Sequence, residues 1–242
     1  MSNNTVKMKV EIWSDIMCPF CYIGKRKFES ALKLFDHAGC IETEWHSFQL
    51  DPDLISGDDK NLYGYLSERK GISYQQSVEM HKHVTDMAAE VELKYNFDKA
   101  VIANSFDAHR LIQLAKTRGL GDAAEERLFR AYFTEGKDVG NHAVLKKLGN
   151  DIGLKDTEVD EMLASNAYTE NVQHDIHEAA QIGVRGVPFF VFNRKFAVSG
   201  AQPPEVFLQA LQQAYEGWRK NQPAALTETG TGAACTPGGD CG

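Results

Sequence analysis

Apolar and polar positions alternate from residue 6 to Ser14 and run through Val10, Ile12 and Trp13, which predicts a buried β-strand. From Pro19 to about Ala38 the spacing changes. Phe20, Ile23, Phe28, Ala31, Leu32, Leu34 and Phe35 recur at helical intervals, and Gly39 is expected to end that helix. Pro19 suits its first turn, where a missing N–H costs nothing. Alternation returns from Ile41 to Leu50, so a strand–helix–strand unit with parallel strands is expected. After Asp51-Pro52-Asp53 the chain reads as helix for more than a hundred residues. Ser73-Tyr74-Gln75-Gln76 has the form of a capping box opening a helix through Val91. Further helices are predicted at about 104–118, 122–133, 141–152, 156–164 and 166–182, punctuated by glycines. Strand character reappears at 187–192 and 196–199 with a turn at Asn193-Arg194-Lys195, and a final helix is expected from about Pro203 to Lys220.

The order is therefore βαβ, a helical block, then ββα. The two ends are expected to complete one sheet, with residues 1–51 and 183–220 forming one α/β domain and 52–182 inserted in it. Residues 221–242 lose apolar periodicity and fill with Ala, Thr, Gly and Pro, which predicts a flexible tail.

Composition narrows the partners. The 242 residues are 43% hydrophobic and 25% charged, as in ordinary globular proteins. A net charge of −8 argues against nucleic acid and anionic membranes. No window is apolar for long enough to span a bilayer, and residues 1–7 hold no apolar leader, so a cytoplasmic chain is expected. A monomer is expected, with a dimer left open.

The chemistry concentrates at Cys18-Pro19-Phe20-Cys21, between the first strand and the helix. A thiol at a helix start feels exposed N–H groups and the positive end of the macrodipole, which favour the thiolate. Cys18 is the expected nucleophile, partly exposed and of lowered pKa, and Cys21 the more buried resolving thiol. A structural disulfide is the bland alternative, disfavoured in a reducing compartment. Half of a zinc site is another.

The chain resembles a known family. Thioredoxin-fold proteins place Cys-x-x-Cys at the start of a helix facing a cis-proline, and Gly186-Val187-Pro188-Phe189-Phe190 has the form of that segment. A helical insertion between the sheet halves resembles the DsbA family. The stretches Trp13–Lys25, Phe48–Pro52, Asn104–Leu111, Leu128–Phe133 and Gly183–Pro188 are similar to its FrnE-like branch. The resemblance spans about residues 6–220. It implies a thioredoxin-like fold and a dithiol–disulfide oxidoreductase or isomerase acting on protein or small thiols. Cys18, Cys21 and a cis Pro188 would be catalytic, with Pro19, Phe20 and Val187 contacting substrate. The N–H and C=O of Val187 would pair with an extended chain. No cofactor is implied, with glutathione as a candidate redox partner.

Two departures bear on that reading. Phe20 stands where the strongest oxidants of the family carry His. Ile12 stands where thioredoxin-like proteins often bury an acid, which leaves Asp15 or a water as proton acceptor for Cys21. The alternatives are a kappa-class type glutathione-dependent isomerase or transferase, whose relatives usually carry Ser in place of Cys18, and a chaperone-like or zinc-binding module.

Other residues have weaker claims. Cys235 and Cys241 in the tail read as a second redox pair, as an accessory disulfide or free thiols, or as half of a zinc site with Cys18 and Cys21. Cys40 reads as an inert thiol. His174 and His177 could share a helix face, but a solvated face explains them, and no metal is expected. His81 and His83 should point to different sides. His109 and Arg110 read as helix packing or as a groove lining. Phe189, Phe190, Phe192 and Phe196 read as core.

Overall fold

A computed structural model describes residues 6–55 and 61–222. The tail cysteines Cys235 and Cys241 lie outside the described residues. Among the described residues the sheet has four strands: β1 (Met8–Ser14), β2 (Ile41–Ser47), β3 (Phe189–Phe192) and β4 (Phe196–Ser199), in the order β2-β1-β3-β4. β1 runs parallel to β2 and antiparallel to β3, and β4 is antiparallel to β3. This is the thioredoxin-like arrangement expected from the order of elements.

Strand alternation sorts the side chains onto two faces. Met8, Val10, Ile12, Ile41, Trp45, Phe190 and Phe192 join one cluster with Phe28 and Ala31 of α1 (Pro19–Lys33) and Phe207 and Leu211 of α9 (Pro204–Lys220). Each Phe buried there contributes about 1.5–3 kcal/mol. The other face carries Trp13 and Val191, packed on Ala179 of α8 (Thr169–Gln181) and on Val184.

Among the described residues seven α-helices lie between β2 and β3: α2 (Leu62–Lys70), α3 (Tyr74–Ala89), α4 (Phe106–Lys116), α5 (Gly121–Phe133), α6 (His142–Asp151), α7 (Asp156–Leu163) and α8. The capping box at α3 is present: Gln76 N donates to Ser73 Oγ at 3.1 Å and Ser73 N to Gln76 Oε1 at 2.8 Å. α2 falls in the stretch read as helix, although the pattern gave it no bounds of its own. Its ends are set locally, by Asn61 Oδ1 accepting from Gly64 N at 2.8 Å and by Gly71 at φ 64°.

Several predicted ends move, each for a backbone reason. α1 stops at Lys33 rather than near Ala38, because Leu34 N and Phe35 N turn back to Ala31 O and Leu32 O in i→i−3 bonds. β2 stops at Ser47 rather than Leu50. Phe48 N still reaches Ser14 O at 2.9 Å, but Leu50 N is taken by the Asp15 carboxylate at 2.7 Å. α8 starts at Thr169 because Tyr168 has φ 64°. β3 starts at Phe189, after Pro188, which has no N–H for a ladder. Among the described residues no helix is long and apolar enough to cross a membrane.

Candidate active site

Cys18 is the N-cap residue of α1, at φ −92° and ψ 111°, with Pro19 in the first turn. The turn before it is closed by Cys18 N donating to Asp15 O at 2.9 Å. Cys18 is 3% exposed, so the expectation of a partly exposed thiol is corrected: the segment at 187–188 lies over it. The Val187–Pro188 peptide is cis, and Cys18 Sγ donates to Val187 O at 3.4 Å. The Val187 carbonyl is thus engaged by the thiol rather than free for a substrate strand. Phe20 is 38% exposed beside them.

Cys21 lies one turn along α1 and is fully buried. Burial and the neighbouring Cys18 push its thiol well above the ordinary cysteine range. The Asp15 backbone N–H and the Ser14 hydroxyl act in the opposite sense. The buried Ser14 Oγ has no partner at hydrogen-bond distance among the described residues. Asp15 is buried too, and its carboxylate accepts from Met17 N at 3.1 Å and Leu50 N. His109 of α4 is completely buried, with Nε2 3.5 Å from Asp15 Oδ1. Neither ring nitrogen of His109 has a hydrogen-bond partner among the described residues. Arg110 next to it is a packing residue: its guanidinium donates to Asp107 Oδ1 at 2.7 Å and to Ala167 O at 2.8 Å.

The insertion holds the motif from outside. Tyr95 Oη donates to Pro19 O at 2.7 Å, and Tyr22 stacks on Phe129 at 4.9 Å. Gly24 lets α1 approach Pro188, since a Cβ there would meet Pro188 Cγ at 2.9 Å. A cavity of about 250 Å³ opens beside Pro19, lined by Asp15, Met17, Leu62, Phe97 and Tyr132 with Arg69 and Lys70.

The remaining sequence candidates are dispersed. Cys40 is half-buried beside Tyr215 Oη at 4.0 Å. His81 is buried, with Nδ1 2.6 Å from Ser77 O, while His83 is exposed, as their spacing predicts. His177 meets Gln181 Nε2 at 2.9 Å, and both it and His174 lie on the solvent side of α8. Sequence reasoning missed two buried groups. Glu125 on α5 is fully buried, and burial pushes its carboxyl well above the usual range. His46 on β2 stacks on Trp13 at 4.4 Å between carboxylates. Only a strand alternation that places His46 on the α8 face hints at its role.

The profile of the DSBA-like thioredoxin domain matches residues 9–212. The chain is 40% identical to the probable DsbA oxidoreductase of Streptomyces coelicolor, with a TM-score of 0.83 over 97% of this chain and 98% of that one. It is 27% identical to the uncharacterized protein YwbO of Bacillus subtilis (strain 168) over 205 residues, 84% of this chain and 94% of that protein. The cytosolic disulfide reductase DsbM of Pseudomonas aeruginosa shares the fold at 16% identity and a TM-score of 0.59, over 88% of this chain and 97% of its own. A thioredoxin-like sheet bearing Cys-x-x-Cys at the head of α1, matched along nearly its whole length, belongs to the DsbA-like family of thioredoxin-domain oxidoreductases.

Proposed function

We propose that Cys18 and Cys21 exchange disulfides with protein or small thiols, in the reductase or isomerase direction. One observation carries the reading: Cys18 Sγ sits at the head of α1, 3.4 Å from Val187 O beside cis Pro188, with Cys21 buried one turn below. In reduction, the Cys18 thiolate attacks one sulfur of a substrate disulfide. That S–S bond breaks, the other substrate sulfur leaves as thiolate and takes a proton, and a mixed disulfide remains on Cys18. Cys21 then gives up its proton and attacks Cys18 Sγ. The Cys18–Cys21 disulfide forms as the Cys18–substrate S–S bond breaks, and the second substrate thiolate departs and takes up the proton that Cys21 released to solvent. Two electrons have moved from the protein to the substrate.

The electrostatics fit this order. The charge on Cys18 is one of the causes that keep Cys21 protonated. In the mixed disulfide that charge is gone, so Cys21 ionises more readily when its attack is needed. Phe20 brings no positive charge beside Cys18, which supports a reductant or isomerase over a strong oxidant. About 30 mV separates potentials that differ by about 1.4 kcal/mol for this couple. Exposed Phe20 and half-buried Val187 form an apolar lip suited to an unfolded polypeptide.

Glutathione is the proposed recycling thiol. The cavity beside Pro19 supports it, with Arg69 and Lys70 at its wall, and DsbM has been solved with GSH. Insulin-disulfide reduction tests the main reading. The wild type is expected to reduce insulin and Cys18→Ser to be inactive, while Cys21→Ser accumulates a mixed disulfide. Equal rates for wild type and Cys18→Ser would sink it.

A further inference from the structure

The α8 face of the sheet carries a second cluster of chemistry that thiol exchange does not use. Parallel pairing sets Glu11 of β1 beside Glu44 of β2, and Trp13 beside His46. Two carboxylates side by side on neighbouring strands repel unless positive charge sits between them. Asp175 and Glu178 of α8 approach the same spot.

His46 is oriented by one particular contact. Its Nδ1 lies 2.9 Å from Asp175 Oδ1, and Asp175 is itself held by Ser47 N at 2.8 Å and Gln113 Nε2 at 2.6 Å. A carboxylate on Nδ1 fixes the tautomer that leaves Nε2 with a bare lone pair, the arrangement found behind metal-bound histidines. His46 Nε2 is buried and has no hydrogen-bond partner among the described residues, and the same holds for Glu11 Oε2. The two side chains are 7% and 3% exposed. Nε2 lies 3.6 Å from Glu11 Oε1, too far for a hydrogen bond. Donor atoms of Glu11, Glu44 and His46 lie within 4.8 Å of one another, at the wall of a cavity of about 320 Å³.

We propose that His46 Nε2, Glu11 and Glu44 bind a divalent transition-metal ion on this face, with Asp175 as the positioning residue behind the imidazole. One nitrogen and two carboxylates suit Mn²⁺ or Zn²⁺, with solvent completing the shell. The local charge leaves room for it. The carboxylates of Glu11, Glu44, Asp175 and Glu178 face three fixed cations, namely Lys9 on Glu44 at 2.8 Å, Lys116 on Glu44 at 3.4 Å, and Arg194 across Glu11 and Glu178. One negative charge is left over. Lys9, 53% exposed, is the cation that swings aside.

The test is Mn²⁺ titration of the full chain by calorimetry, Mn²⁺ being a cation that thiolates hold poorly. Binding of one ion per chain is expected. Glu44→Gln, at a partly exposed position that leaves folding intact, is expected to weaken binding by about tenfold or more, and His46→Gln likewise. Absence of binding at millimolar Mn²⁺, or binding that neither substitution changes, would overturn the proposal and leave a structural ion-pair network on this face. Either result is independent of the insulin assay, because the thiols take no part.

Discussion

Gly24 shows how tightly the redox site is built at the level of single atoms. Ala is ordinarily the better helix residue by about 1 kcal/mol. At Gly24 a methyl would sit 2.9 Å from Pro188 Cγ and 3.5 Å from Phe190 Cζ, where neither a proline ring nor a buried ring yields easily. Overpacking of this kind costs about 1–3 kcal/mol, which outweighs the propensity gain. Gly24→Ala is therefore expected to lower the urea midpoint and also the insulin reduction rate, since the displaced group is Pro188. A stabilised, fully active variant would show that the contact relaxes freely. Glu125 makes a different prediction. Its folded-state carboxyl is held protonated by burial, so between the ordinary carboxylate range near 4.5 and its raised folded value the native state binds a proton that the unfolded chain has lost. Stability must fall with rising pH over that window, by about 1.4 kcal/mol per pH unit from this group. Glu125→Gln removes the slope, so the difference in unfolding free energy between variant and wild type is expected to grow with pH above about 4.5. Urea titrations across pH measure it, and a flat difference would mean that Glu125 ionises inside the fold. Nothing in the sequence marks Glu125, which sits in a run of charged residues on α5. Cys18, Cys21 and Pro188 stand out because their chemistry is written in residue type and spacing. The state of Glu125 depends on neighbours from other elements.

At the scale of elements, most periodic helices were legible nearly to their ends, whereas α2, the end of β2 and the start of α8 were not. α5 and α9 lie within a residue or so of their predicted spans, because their apolar stripes are regular. α2 received no bounds of its own because Tyr63, Gly64, Tyr65, Ser67 and Glu68 make no clean stripe, and its ends rest on Asn61 and Gly71. β2 was overextended because Phe48 and Leu50 continue the alternation, while the hydrogen bond that ends the strand comes from Asp15 on another element. α8 carries the largest consequence of this kind. Its pattern predicts a helix, but not that Asp175 enters a buried seam with His46, Ser47 and Gln113. Trp13 Nε1 also donates to the Asp175 carbonyl at 3.0 Å, so one residue of the insertion is tied to both β1 and β2. His46 holds the Asp175 carboxyl below its usual range, and Asp175 holds His46 above its own. The His46 contribution is complete below about 6.5 and fades as pH rises through its folded value, whereas that of Asp175 fades as pH falls below about 3.8. Asp175→Asn is expected to cost about 3–5 kcal/mol near neutrality, because it leaves a buried partner uncompensated. NMR titration of His46 in that variant should move towards lower pH. An unmoved His46 would show that Glu11 alone sets its charge.

For the whole molecule, the question is whether the helical insertion is a unit of its own. Its hydrophobic core argues against independence. Leu111, Phe129, Tyr132 and Phe133 of the insertion form one cluster with Ile16, Cys18, Cys21, Tyr22 and Ile23 of the redox site. Tyr95 adds a hydrogen bond to Pro19 O, and α8 seals the far face of the sheet. Separating the two parts would expose α1 along its active-site half and break the Asp175–His46 pair. Together these losses are comparable with the stability of a whole domain, about 5–15 kcal/mol. The chain carries its own reporters for the test. The three tryptophans, Trp13, Trp45 and Trp218, all lie in the sheet half, whereas most helical residues lie in the insertion. Tryptophan fluorescence therefore follows the sheet, and far-UV circular dichroism follows mainly the insertion. Urea unfolding is expected to give coincident curves with one midpoint, as for a two-state unit. Two separated transitions would mean that the insertion folds alone and that the shared cluster contributes little. Tyr95→Phe sharpens the experiment. It removes a bond across the junction worth about 1 kcal/mol without removing the ring, so both curves are expected to shift together by the same amount. A shift confined to one probe would contradict the single cooperative unit.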